Sequence, residues 1–259
     1  MAGPDAPPPF RTLAASVDGR LGRLVLSQPE RLNAIGAVAL RELVDAAAWF
    51  DEQAVDVVVV SGAGRAFCAG FDRRELAPPP TDEPGHPGAP TPAATPALGA
   101  EMAAAISGMR ALTVAQLHGP VVGGGFVLAL CCDLRVAADD AWCSLPEAEL
   151  GIPLAWSGVP RLVRELGPGR AAELILTCRR VPASEALALG LLARVVPAAE
   201  LEATVQELVA TLLERPSEVI VATKRQVEAA AEALVPTSGE WAGTEELVTA
   251  LRRLLGRSG

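Results

Sequence analysis

Hydrophobic positions fall along this chain in two rhythms that alternate. Thr12 to Val17 and Gly22 to Ser27, joined by a turn at Asp18-Gly19, predict a β-hairpin. Ile35 to Gln53 sets Val38, Leu40, Leu43, Val44, Ala47 and Phe50 on roughly one helical face. Asp56 to Ser61, DVVVVS, is a β-branched run of the kind buried on both faces of a sheet. It leads into GAGRAFCAGFD, a loop rich in small residues. Leu76 to Gly99 is so dense in proline that helix and sheet are both disfavoured, and a mobile loop is expected there.

The alternation then resumes. Ala100 to Met109 predicts a helix, and Thr113 to Leu117 a strand. His118-Gly119-Pro120 turns the chain into VGGGFVLALCCD, a glycine triplet opening an apolar helix, and Leu134 to Ala137 returns as a strand. Repeated strand–helix–strand order suggests stacked right-handed units rather than separate domains. From Gly158 the pattern is helical. Val159, Leu162, Val163 and Leu166 form one stripe, followed by Arg170 to Thr177, Ser184 to Leu189, Glu200 to Glu214, Pro216 to Leu234 and Trp241 to Leu255. The expected organisation is a tail at 1–10, a core at 11–197 and a helical region at 198–259.

Composition narrows the function classes. The 259 residues carry a formal charge of −9, which argues against nucleic acid and anionic membrane surfaces, since both require a basic face. Apolar runs such as Val121 to Cys132 are too short to span a bilayer, and MAGPDAPPPF has no signal-peptide features. Five cysteines without CxxC spacing and only two histidines support neither a zinc site nor a disulfide framework. Buried thiols in a reducing cytoplasm fit best. Cys68 is the best candidate for a nucleophilic cysteine, although packing is the favoured role. His86, inside the proline-rich segment, reads as solvated.

The candidate chemistry lies in two loops. Glycines before a helix let a ligand approach its unpaired N–H groups, so the triplet reads as a backbone anion site, or equally as tight helix packing. Ala66 to Asp72 also follows a buried strand and turns toward a helix. Two such loops could aim two N–H groups at one oxygen, each worth about 3–4 kcal/mol in a transition state.

Taken together, QPERLNAI, GRAFCAGFD, HGPVVGGGFVLALCCDLRVAADDA, PEAELGI and EALALGLLARVVP, in register from about Leu13 to Pro197, resemble the crotonase superfamily, the enoyl-CoA hydratase/isomerase family. The resemblance implies an α/β fold, a spiral of ββα units (ClpP-like) with C-terminal helices that drive trimers or hexamers. It also implies an acyl-CoA substrate, with no permanently bound cofactor and no metal. The thioester oxygen would be held by the N–H groups of Phe71 and Gly124.

Family hydratases use two glutamates. The position of the first is Val127 here, while the second is present as Glu147. Glu149 and Asp139-Asp140 read as solvated loop residues. One glutamate can shuttle a proton between carbons of an enolate, so double-bond isomerisation is the first expectation. Hydration is the alternative, and a non-catalytic acyl-CoA binder is a third reading. Dehalogenase- or protease-like chemistry lacks its residues. Trp156 stands where related sequences carry small residues and, with Val127, would reshape the acyl pocket. For coenzyme A, Arg31 and Arg73 or Arg74, after Asp72, are candidates for the adenine or phosphate end, the resemblance implies that the backbone of Ala66, Cys68 and Ala69 lines the adenine pocket, and Lys224 is a further phosphate candidate.

Overall fold

The computed structural model describes residues 6–72, 74, 95–237 and 249. The N-terminal tail to residue 5, Arg73, most of the proline-rich segment with His86, and the expected helix Trp241–Leu255 (apart from Thr249) lie outside the described residues.

β1 (Leu13–Asp18) and β2 (Leu21–Leu26) form the expected hairpin, registered from Leu13 opposite Leu26 to Asp18 opposite Leu21. The two-residue turn is therefore Gly19-Arg20, with Gly19 at φ +58°. α1 (Ala37–Glu52) crosses to β3 (Val57–Gly62), which pairs parallel to β2. α2 (Thr95–Gly108), β4 (Leu112–Leu117), β5 (Pro120–Val122), α3 (Gly124–Cys131) and β6 (Leu134–Ala138) follow. β7 (Trp142–Ser144), α4 (Gly158–Thr177), β8 (Val181–Pro182), α5 (Ala183–Ala188), β9 (Arg194–Val196), α6 (Leu201–Leu213) and α7 (Ser217–Leu234) come next among the described residues. One sheet runs β1-β2-β3-β4-β6-β9, and a second, smaller one runs β5-β7-β8.

The valines of β3 show why the large sheet is buried on both sides. Val58 and Val60 join the main core with Leu40, Leu43, Phe50 and Met102. Val57 and Val59 face the other way, against Leu201, Val205 and Val209 of α6. Alternate side chains of one strand thus serve two cores, which removes the polar alternation from its sequence.

Two further expectations need correction. α2 begins at Thr95, inside the segment read as too proline-rich for a helix. Pro96 falls in the first turn, where a missing N–H costs nothing. By contrast, the helical stretch after Gly158 consists of two helices, as expected, which meet at Gly167 (φ 74°, ψ 166°) just before Pro168. The two pieces expected there are thus joined by a kink. The sequence reading missed β5, β7, β8 and β9, because strands of two or three residues have no measurable periodicity.

Candidate active site

The first loop leaves β3 and is held from beneath by Asn33. Its Nδ2 donates to the carbonyls of Ala63 and Ala66, both at 2.8 Å, and its Oδ1 accepts the Gln28 N–H at 2.9 Å. The loop is then strapped to residues 32–35. Ala69 N–H donates to Leu32 O (2.9 Å), Ile35 N–H to Gly70 O (2.8 Å) and Asp72 N–H to Ile35 O (2.9 Å). Successive N–H groups of extended backbone point to opposite sides, so the Phe71 N–H is directed away from Ile35. Among the described residues it has no acceptor.

The second loop lies against the first. Cys68 N–H donates to Pro120 O (3.2 Å), and Val122 N–H returns a bond to Cys68 O (2.9 Å). A Cβ on Gly70, where φ is +94°, would sit 2.8 Å from Val122 O, so no other residue fits this approach. Gly123 follows with φ 52° and ψ −122°, a conformation costly for any side chain, and its N–H is held by Ser144 O at 2.9 Å. α3 begins immediately afterwards. Gly123 O accepts the N–H groups of Phe126 (2.9 Å) and Val127 (3.0 Å), while the Gly124 N–H, at the positive end of the helix, has no partner among the described residues. Gly125 completes the triplet because a Cβ there would lie 2.6 Å from the Cβ of Cys68.

Glu147 arrives from the turn after β7. The carbonyl of Glu147 accepts from Leu150 (3.1 Å) and Ile152 (3.0 Å), which fixes its backbone. Its Oε1 would touch a Cβ on Gly123 at 2.7 Å, so the carboxyl packs against the glycine next to Gly124. Its Oε2 is buried with no hydrogen-bond partner among the described residues. Burial pushes its pKa from 4.5 up to about 7, partly offset by its own backbone N–H. A carboxyl so poised can both take and return a proton near neutral pH.

The neighbouring groups are of two kinds. Val127, one turn along α3, is 1% exposed, and its Cγ2 packs at the backbone of Gly158 beside Leu154. The indole of Trp156 lies over the Cα of Gly124, with its ring centroid 6.4 Å from that of Phe71 in an edge-on arrangement. On the other side, Arg74 grips Asp72 through Nε–Oδ1 (2.9 Å) and an Nη–Oδ2 bond (2.7 Å), and Arg31 approaches to 3.7 Å. These bonds, led by the Arg74 side chain, hold the Asp72 carboxyl below the usual range, so it stays ionised.

Comparison with known proteins decides the family. The enoyl-CoA hydratase/isomerase profile matches residues 18–242. The chain belongs to the enoyl-CoA hydratase/isomerase, or crotonase, family. It is 33% identical over 196 residues to a Mycobacterium bovis protein named "probable enoyl-CoA hydratase", covering 74% of this chain and 71% of that one. Its fold is similar to that of a Thermobifida fusca protein named "putative enoyl-CoA hydratase", solved in complex with acetoacetyl-CoA, with a TM-score of 0.78, 32% identity and 96% of each chain covered. A monofunctional enoyl-CoA isomerase of M. smegmatis also matches, with a TM-score of 0.70, 26% identity and coverage of 86% of this chain and 94% of that one. Further relatives carry hydratase names, one of them a crotonyl-CoA hydratase.

Within this crotonase fold, Phe71, Gly124, Glu147, Val127 and Trp156 are brought together, and Asp72, Arg31 and Arg74 cluster at the end of the first loop. Ala66 and Cys68 are buried, with Ala66 O engaged by Asn33 and both polar backbone groups of Cys68 paired to the second loop. Lys224 requires correction as a phosphate candidate. It is buried on α7, donates to Ala111 O at 2.8 Å and pairs with Asp133 at 3.0 Å, so its charge is already neutralised inside the protein. Cys68 is fully buried and burial raises its thiol pKa to about 12, which supports packing under Gly125 over a nucleophilic role. Sequence reasoning passed over Asn33, although it stood in a quoted motif. The one available signal was the residue type, since asparagine tolerates the left-handed backbone found here (φ +55°), but its role shows only once the loop it holds is known.

Proposed function

We propose that this crotonase-family protein adds water to a 2-enoyl-CoA. The Phe71 and Gly124 N–H groups hold the thioester oxygen, and Glu147 is the proton-transfer group. The observation that carries this reading is the buried, unpartnered Oε2 of Glu147 beside the start of α3, where the Gly124 N–H is also without an acceptor. In the forward direction Glu147 removes a proton from water as the oxygen attacks C3. The electron pair moves onto the thioester oxygen, giving an enolate stabilised by the two donors. The protonated Glu147 then delivers that proton to C2 on the same face. One carboxylate is thus enough for syn addition.

This order reverses the first expectation from the sequence, which put the double-bond shift ahead. The relatives mostly carry hydratase names, and they lend more support to hydration. Isomerisation is the second reading, favoured by one observation: Val127 is buried and apolar, so no second carboxylate seats a water from that position. The two separate on products. Crotonyl-CoA giving 3-hydroxybutyryl-CoA supports hydration. Conversion of a 3-enoyl-CoA to a 2-enoyl-CoA without hydration of crotonyl-CoA would replace it with isomerisation, and binding without turnover would point to a sequestering role.

Arg31 and Arg74, flanking Asp72, are the proposed contacts for the phosphates of coenzyme A, with the backbone around Ala66, Cys68 and Ala69 beside its adenine. Exposed Val219, Val227 and Leu234 on α7 support self-association into trimers or hexamers, which light scattering would test. Five free, buried cysteines fit a reducing cytoplasm.

A further inference from the structure

Trp156 is placed against local preference. Gly158 N–H bonds to Ala155 O at 3.0 Å, and the two residues between, Trp156 and Ser157, have φ values of +59° and +57°. This left-handed pair favours Asn-Gly, and a bulky aromatic there persists only where its surroundings fix it. Those surroundings are two glycines on different helices. A Cβ on Gly99 of α2 would lie 1.8 Å from the indole nitrogen, and one on Gly124 of α3 would lie 2.2 Å from Cζ3. The pyrrole edge therefore rests on α2 and the benzene edge on the first residue of α3. The ring is buried, and its third neighbour is the aromatic ring of Phe71.

Both residues proposed to hold the thioester oxygen thus touch one side chain. Glu147 packs on Gly123 and the indole on Gly124, so carbons reaching Glu147 from an oxygen held at the Gly124 N–H run alongside the ring. Buried Leu154 and Val127 pack together at Gly158, two residues after the indole, where a Cβ would lie only 2.9–3.0 Å from them. We propose that Trp156 closes the acyl end of this site and restricts the substrate to short acyl-CoA thioesters of about crotonyl size. The inference rests on the acyl-CoA reading above. A pocket open along its length would gain about fourfold in specificity per added methylene, so truncation by a wall is distinguishable from indifference to length.

The test is the ratio of kcat/KM across crotonyl-, 2-hexenoyl-, 2-octenoyl- and 2-dodecenoyl-CoA, for the wild-type chain and for Trp156→Ala and Trp156→Leu. The wild-type values should fall at least tenfold from crotonyl to octenoyl, a result that needs no variant. Either substitution should move the optimum to longer chains. Should Trp156→Ala not fold, Trp156→Leu keeps most of the buried volume and carries the comparison. A wild-type profile that is flat or rises with length would overturn the inference while leaving the acyl-CoA reading intact. So would variants that keep the wild-type profile. Should no chain length turn over, hydration falls, and calorimetric binding of the same four thioesters decides the inference: weaker binding of the longer chains supports it, and equal or tighter binding overturns it.

Discussion

Replacing Glu147 by Gln should cost activity and at the same time change how stability depends on pH. The carboxyl has its pKa raised from 4.5 to about 7 because its ionised form loses water on burial. A shift of that size corresponds to about 3 kcal/mol against the folded state once the group is ionised. The sign follows from proton uptake. Below 4.5 the group is protonated in both folded and unfolded chains and there is no penalty. Between 4.5 and about 7 the folded chain holds more proton than the unfolded one, so stability falls as pH rises. Above about 7 the penalty is complete and constant. Between about pH 5 and about pH 8 the wild type should lose about 2.5 kcal/mol that the Gln variant keeps. The amide adds its own cost of about 1–3 kcal/mol if it finds no partner, but that term does not depend on pH. Urea unfolding of both proteins at the two pH values, compared as a difference of differences, cancels every other titrating group. Crotonyl-CoA turnover by the variant should fall by a factor of about 100 to 10,000. Equal pH slopes for the two proteins would show that Glu147 is not desolvated as described, and unimpaired turnover would remove it as the proton-transfer group.

Other substitutions probe the frame around it. Gly124→Ala drives a Cβ into the benzene edge of Trp156 at 2.2 Å and should cost about 1–3 kcal/mol of stability, much of it recovered in the Gly124→Ala/Trp156→Ala double variant; a thermal-denaturation cycle checks the coupling. Asn33→Ala strips partners from Ala63 O, Ala66 O and Gln28 N and should cost about 1–3 kcal/mol, with kcat/KM falling as the first loop loosens. Lys224→Met leaves Asp133 without its buried cation and should destabilise by about 3–5 kcal/mol, measured by urea unfolding, while KM for the CoA thioester in the folded protein stays unchanged. The wild-type kcat/KM for crotonyl-CoA should rise with pH through about 7, since the base must be ionised in the free enzyme, and a profile flat through that region would contradict it.

Much of this was legible in the sequence for a physical reason. The four valines of β3 and the helical stripe of α1 are long, periodic signals, and both elements form within two residues of their expected ends. The glycine triplet was legible as a close approach, and each glycine proves to face a different neighbour: Glu147, Trp156 and Cys68. What the sequence could not display was distance. Lys224 looked available because a lysine on an amphipathic helix normally is; only the fold places it over Asp133, 91 positions earlier in the chain. Asn33 and Ala66 are joined across 33 positions by a side-chain bond without a local pattern. The short strands of the second sheet exist because β5, β7 and β8 meet in space, not because their residues insist on it.

The most direct measurement is a structure of the protein with acetoacetyl-CoA or another unreactive acyl-CoA bound. The thioester oxygen should lie roughly 2.7–3.1 Å from the nitrogens of both Phe71 and Gly124, with the Glu147 carboxylate facing the adjacent acyl carbons. A thioester oxygen bound away from either nitrogen, or a Glu147 side chain turned out of the cavity that holds the acyl group, would contradict the account.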